Sequence, residues 1–339
     1  MKKFPFFALL VFALLLSPSW SFALGETGTT RNFSLEYLVE VKDIPVDSKR
    51  LDIWIPLPTN DEDQNILDVS VESPYPLSLH YDPEWGNGIL AASVENPKPF
   101  QIRIVYVVER KERRIVNMDY ESPVATGELS KPFQMYLRPA KFSVVNDSVK
   151  KYADEAGQGK KNALAQARGI YDFVYSKLEY NKTIPGWGRG DVSRLCFVLD
   201  GGKKGTGNCT DFHSLFSSMM QARGIPVKFE MGYPLTPGAD QGELKAGGYH
   251  CWAKFFISGY GWIPVDISEA NKAPEKKEYF WGGICENRIR FSTGRDILLS
   301  PPQKGERLNF FGPDPYMEAD GKAFTGFVRS IAYRDIKKN

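Results

Sequence analysis

The sequence predicts an α+β chain: an all-β, sandwich-like domain comes first, and a helix packed on an antiparallel sheet follows. Three observations carry this. Between about Phe33 and Arg114 the apolar residues alternate with period two, in SLEYLVEV, KRLDIWIPL, ILDVSVES and FQIRIVYVVER. From about Phe142 the apolar spacing lengthens to the helical i, i+3, i+4 pattern. Beyond Pro226 the alternation returns, in PVKFEMGYPL, GYHCWAKFFI and GWIPVDIS.

The chain opens MKKFPFFALLVFALLLSPSWSFALG, with two lysines, an apolar run from Phe4 to Leu16 and a small-x-small site at Ser21-Phe22-Ala23. That layout is a secretory leader over 1–23, and it implies an exported protein, periplasmic or secreted. No later run approaches the roughly 20 apolar residues that a membrane helix needs. Short strands separated by turn clusters, PLPTND and WGNG among them, place a β-sandwich over 24–140. It shows no clustered titratable motif and reads as structural or as a binding module.

A second domain spans 141–300. Asn146 or Asp147 caps a helix running through Ala156, and Ala167, Ile170, Tyr171, Val174 and Leu178 form one stripe of the next helix. In GTGNCTDFHSLFSSMMQARGIP, the residues Phe212, Leu215, Phe216, Met219 and Met220 keep helical spacing. Gly224 supplies the left-handed stop and Pro226 bars continuation. Cys209 therefore opens a helix of about four turns, with Asn208 as its N-cap. Residues 301–339 read as a C-terminal extension whose closing run, FTGFVRSIAYRD, has strand character.

Lys and Arg total 43 against 41 Asp and Glu, and no basic stripe forms, so nucleic acid is not an expected partner. The richest patch, Arg110 to Arg114, reads as the solvated end of a strand. Four cysteines in 339 residues are too few for a disulfide scaffold, so the fold must stand on its core. Any bridge is expected to spare Cys209, with Cys196–Cys285 the favoured pair.

Cys209 is the residue that asks for an explanation. A helix N-terminus favours an anion, so a thiol there is biased toward thiolate. Gly205 and Gly207 leave the sulfur approachable and free backbone N–H groups for an oxyanion. His250 and Asp266, on successive strand patterns, add a base and a group to orient it. Each also has a plainer reading: a structural cysteine, a satisfied strand histidine, a turn-forming aspartate. His213 is four residues after Cys209, so a zinc hydrolase using Cys209, His213 and His250 stands as an alternative. GKKGTGN lacks the ending of a phosphate loop, and no acidic calcium loop is present.

Taken together, GNCTDFHSLFSSMMQARGIPVKFEMGY and GGYHCWAKFFISGYGWIPVDISEA resemble the transglutaminase-like superfamily of bacterial cysteine enzymes. The resemblance lies in Gly-x-Cys-x-Asp at a helix start, the Gly-Ile-Pro turn, His-x-Trp on a strand and Gly-Trp-x-x-x-Asp on its neighbour. ENRIRFSTGRDILLSPP is similar to a tail common in bacterial members. The resemblance implies a papain-like fold over 141–300, with Cys209 as nucleophile, His250 as base and Asp266 holding the imidazole. It implies no metal and no cofactor. Cys251 departs from the pattern, where a small residue such as alanine is usual. Tyr180 and Trp187 are candidates to line the cleft, and Asn208 to face the oxyanion. The implied activity is acyl transfer from a protein or peptide amide, cell-envelope amides included, through a thioester to water or an amine. A non-catalytic exported binding module with the same fold is the alternative, and the oligomeric state is left open.

Chemistry also sets an expected register. For His250 to meet Asp266, Tyr249–Ile257 and Gly261–Ile267 should form an antiparallel hairpin. His250 would then oppose Asp266 directly, with Trp252 against Pro264, Lys254 against Trp262 and Phe256 against Tyr260. The loop would be Ile257-Ser258-Gly259.

Overall fold

In the computed structural model, which describes residues 26–122, 131–244 and 247–337, the first period-two segments are six strands. They are β1 (Glu26–Val41), β2 (Arg50–Leu57), β3 (Gln64–Glu72), β4 (Ser78–Tyr81), β5 (Gly88–Glu95) and β6 (Phe100–Arg114). The expected leader, 1–23, lies outside the described residues. Then come α1 (Lys131–Gln134), α2 (Asp147–Gly157), α3 (Ala163–Lys177), β7 (Leu178–Tyr180), α4 (Val192–Asp200), β8 (Gly205–Gly207) and α5 (Cys209–Ala222). The chain continues through β9 (Val227–Pro234), β10 (Gln241–Leu244), β11 (His250–Ile257), β12 (Gly261–Val265) and α6 (Ile267–Lys272). It closes with β13 (Gly283–Ile284), β14 (Arg288–Thr293), β15 (Tyr316–Ala319), β16 (Lys322–Ala323) and β17 (Phe327–Asp335). No helix among the described residues is long and apolar enough to cross a membrane.

The β-rich region is two sheets. One runs β10-β17-β1-β6 with β3 and β13 beside β6, and the other runs β16-β15-β2-β5-β4. Phe33, Leu35, Tyr37 and Val39 of β1 and Ile102, Ile104, Tyr106 and Val108 of β6 all face the core and are fully buried. Period-two alternation turns the intervening residues outward.

Residues 301–339, expected as a C-terminal extension, supply strands to the β-rich region. β17 pairs with β1 from Phe33↔Asp335 to Val41↔Phe327, and β15 pairs with β2. Without β17 the long strand β1 would present a bare row of N–H and C=O groups on that side, which a sheet must cover or pair. The chain therefore leaves the β-rich region after β6, lends it β10 and β13 along the way, and returns with β15 to β17 to complete it.

The second domain is the antiparallel sheet β12-β11-β9-β14 with α5 packed on it. Phe212, Leu215, Phe216, Met219 and Met220 are all fully buried, each side chain contributing about 1.5–3 kcal/mol by transfer from water. Asn208 and Asp211 form a capping box at the start of α5. Gly224, at φ +69°, ends the helix where a left-handed residue was expected. α4 and α6 were not foreseen. α4 follows a glycine-rich loop that hid its short stripe, and α6 begins at Asp266, which the period-two reading had kept in a strand.

The β11–β12 register differs from the expected one. Ala253 faces Val265, Lys254 faces Pro264 and Phe256 faces Trp262, a slip of two residues, and the loop is Ser258-Gly259-Tyr260. Gly259 and Gly261 both take positive φ, at 86° and 76°, so the turn sits one residue later than the single glycine suggested. A slip of two preserves which face each side chain occupies. Asp266 lies past the end of β12 as the N-cap of α6. It reaches His250 from a helix start rather than from a ladder position.

Arg110 was read as solvated and is fully buried. It lies 3.8 Å from Asp61 in a charged cluster between the two domains. There Lys254 of β11 meets Asp63 at 2.5 Å and Glu62 at 3.0 Å, and Arg290 meets Asp61 at 2.7 Å. The sandwich therefore does carry a titratable cluster, assembled from the β2–β3 connection and from strands distant in sequence.

Candidate active site

The start of α5 brings Cys209 beside the first residues of β11. Alternation along β11 sends Cys251, Ala253 and Phe255 into the helix-side core. His250, Trp252 and Lys254 take the other face, toward the sandwich. His250 Nε2 lies 2.7 Å from Asp266 Oδ2. Its other nitrogen is left for Cys209, whose thiol interacts with the ring.

Asp266 is itself held from three sides. Ser268 Oγ and the Glu269 N–H each donate to Oδ1 at 3.1 Å, and Arg288 Nη1 donates to Oδ2 at 2.9 Å. Cys209, His250 and Asp266 are 2%, 4% and 0% exposed, so their charges are felt at short range with little screening.

Burial disfavours every charge in this group, and the charges overcome it in pairs. Burial pushes the Cys209 thiol up, but hydrogen bonds with Cys251 and His250 and the imidazolium charge hold it well below the usual range. Burial pushes the His250 imidazole down, yet Asp266 and then Cys209 bring it up to about 10. Burial likewise opposes ionised Asp266, which His250 and Arg288 keep well below the carboxylate range. These directions favour a thiolate at Cys209 and an imidazolium at His250 beside the Asp266 carboxylate.

His213 does not join Cys209 and His250 as a zinc ligand set. Its Nε2 accepts the Ile267 N–H at 3.1 Å, so the ring proton sits on Nδ1, 3.7 Å from Cys251 Sγ. Burial first lowers its pKa, leaving it neutral. Among the described residues the His/Cys/Asp/Glu group with metal-like spacing is His250, Asp266 and Glu269. That group is closed by the His250–Asp266 hydrogen bond. All four cysteines are free. Cys196 packs at Asn146 and Cys285 at Arg288, so the favoured Cys196–Cys285 bridge does not form.

The three cleft candidates part ways. The Asn208 side chain caps α5 and donates to Tyr249 Oη at 2.8 Å, which makes it a strut of the helix start. Tyr180 is half-buried against Phe212; burial and then the Cys209 charge raise its phenol. Trp187 is 38% exposed, its ring under Lys182 Nζ at 5.6 Å. Sequence reasoning missed Tyr249, which ties Asn208 and Thr210 together, and Arg288. No local signal marks Arg288, because its partner lies on another element.

Asp211 anchors the loop over this site, accepting from Gly188 N at 2.7 Å, Gly190 N at 3.2 Å, Asn208 N at 3.0 Å and Arg194 at 3.2 Å. Asp211→Ala leaves these donors without an acceptor and should cost about 3 kcal/mol in denaturant unfolding. A loss under about 0.5 kcal/mol would contradict this assignment.

Residues 150–267 match the transglutaminase-like superfamily, a span that contains Cys209, His250 and Asp266. The chain carries a transglutaminase-like domain. A protein of Haemophilus influenzae described as uncharacterized is 26% identical over 308 residues, 81% of this chain and 82% of that protein. The crystal structure of a "Putative Cysteine Protease" from Cytophaga hutchinsonii superposes with a TM-score of 0.60 at 16% identity, over 93% of this chain and 94% of that one. At that identity the likeness is one of fold, and it extends through the β-sheets flanking the transglutaminase-like domain.

Proposed function

We propose that this protein is an exported thiol enzyme that cleaves or transfers amide and peptide acyl groups through Cys209, His250 and Asp266. The observation that carries the reading is the buried His250 ring, its Nε2 2.7 Å from Asp266 Oδ2, in one site with the buried Cys209 at the start of α5. The Cys209 thiolate attacks the amide carbonyl, and backbone N–H groups at the start of α5 are suited to the oxyanion. As the C–N bond breaks, His250 gives its proton to the departing amine. The resulting thioester is resolved by water, giving an acid, or by an amine, giving a new amide. In either case His250 takes a proton from the attacking group, and the thiolate is restored. Asp266 holds the ring and balances the imidazolium throughout. The export proposal rests on the leader-like residues 1–23.

Thiol labelling tests the reading. At about pH 6, iodoacetamide should modify Cys209 first. Burial pushes Cys196 up to about 11, and burial together with the Cys209 thiolate raises Cys251 well above the usual thiol range. Peptide mapping after brief alkylation decides it: preferential modification of Cys196 or Cys251 contradicts the mechanism. Labelled and unlabelled protein are then compared for ammonia or amine release from peptide and peptidoglycan-type amides, with labelling expected to abolish turnover.

A further inference from the structure

Arg288 lies on β14, outside the span matched by the transglutaminase-like superfamily, and it is 3% exposed. Its Nη1 donates to Asp266 Oδ2 at 2.9 Å, the same oxygen that meets His250 at 2.7 Å. Its guanidinium lies over the Trp252 ring at 4.8 Å, and Nη2 reaches Cys285 Sγ at 3.3 Å. The Trp252 indole is in turn fixed by Glu230 at 2.5 Å. Thiolate, imidazolium, carboxylate and guanidinium thus alternate in sign along one buried line. Without the last of them the line carries an uncompensated negative charge in a site that excludes water.

We infer that Arg288 is a positioning residue of this site: by clamping Asp266 Oδ2 it keeps the carboxylate ionised and aimed at His250, and so sustains the Cys209 thiolate. The inference rests on the thiol-enzyme reading above. It assigns a role to the segment after α6 that the nucleophile, base and orienter alone do not supply.

The direction of the effect follows from two routes. With Arg288 neutralised, Asp266 could stay ionised, and its uncompensated charge then opposes the nearby thiolate. Alternatively it takes up a proton and no longer holds the imidazolium. Both routes raise the pH at which Cys209 becomes thiolate. The other titratable groups facing this line are His213 and Cys251, Tyr180 and Tyr249 at Cys209, Glu269 on α6, Cys285 and Tyr279 at Arg288, and Tyr171 on α3. They are common to wild type and variants, and Cys285, the one that loses a direct contact with Arg288, is followed in the same peptide map.

The test is the pH profile of Cys209 alkylation in the full chain, read by peptide mapping, for wild type, Arg288→Gln and Arg288→Lys. The glutamine protein should shift its half-maximal pH upward by about one unit, a tenfold loss of alkylation rate on the rising limb. The lysine protein should stay within about 0.3 unit of wild type. Arg288→Met, which keeps an apolar stem on Trp252, replaces the glutamine variant if that one does not fold. A folded neutral variant with the wild-type profile overturns the inference, as does a folded lysine variant shifted by a full unit. If wild-type Cys209 alkylates like an ordinary thiol, the thiol-enzyme reading itself fails. A low wild-type profile with no response at Arg288 sinks the clamp alone.

Discussion

Cys209→Ala should lower turnover by about 10⁴–10⁶-fold while leaving the fold intact, because a methyl group replaces a small buried thiol. Adding His250→Ala to it should cost almost nothing more, since groups that act as one unit lose their effect together. Additive losses would mean that His250 serves something other than Cys209. The same variant changes the dependence of stability on pH, and the sign can be worked out. Folding moves one proton from Cys209 to His250, so between about pH 6.5 and 8.5 the folded and unfolded chains bind equal numbers of protons at this pair. Wild-type stability should therefore be flat across that window as far as the pair is concerned. In Cys209→Ala the histidine is still raised by Asp266, while its unfolded value stays near 6.5. That contribution is fully present below about pH 6.5 and is lost as pH rises through the folded value. Denaturant unfolding across pH should show a plateau in wild type and a decline in the variant. Matching curves would exclude the charge-separated pair.

The parts of this architecture written in local pattern were legible, and the parts written in distant pairing were not. α5 announces itself through Asn208, its apolar stripe, Gly224 and Pro226, all within one short stretch. Cys209, His250 and Asp266 could be nominated because each stands at a recognisable place on a helix start or strand end. The hairpin register slipped by two because two loops of equal length give the same facing, and nothing in the apolar pattern separates them. β17 could be read as a strand, but its partner β1 is nearly the whole chain away, and a strand pattern does not name its neighbour. Arg110 shows the same limit for charge. Next to Lys111, Glu112 and Arg113 it has the look of a wet strand end, and only the approach of the β2–β3 connection buries it. Arg288 carries no signal beyond being an arginine in a strand.

Lys254→Met should destabilise the folded chain by about 3–5 kcal/mol, a large share of the roughly 5–15 kcal/mol that holds a typical domain together. Lys254 is fully buried on the His250 face of β11, with Asp63 at 2.5 Å, Glu62 at 3.0 Å and Glu230 at 3.7 Å. Burial alone would lower its pKa, and the surrounding carboxylates more than reverse that, so the ammonium is charged at any ordinary pH. Methionine matches the stem in length and apolar character, which keeps cavity formation out of the measurement. What it removes is the cation, and Asp63 and Glu230 are then left buried with less to balance them. Asp63→Asn added to Lys254→Met should recover part of the loss, because it removes one stranded charge. Chemical denaturation of the two variants measures both effects. A cost under about 1 kcal/mol for Lys254→Met would mean that water reaches the cluster and screens it. The loss should also be felt at the active site. Glu230 fixes the Trp252 indole and Trp252 carries Arg288, so a disturbed Glu230 loosens the clamp on Asp266. Cys209 alkylation in Lys254→Met at about pH 6 should therefore slow in the same direction as in Arg288→Gln, through the one strand that bears both Lys254 and His250.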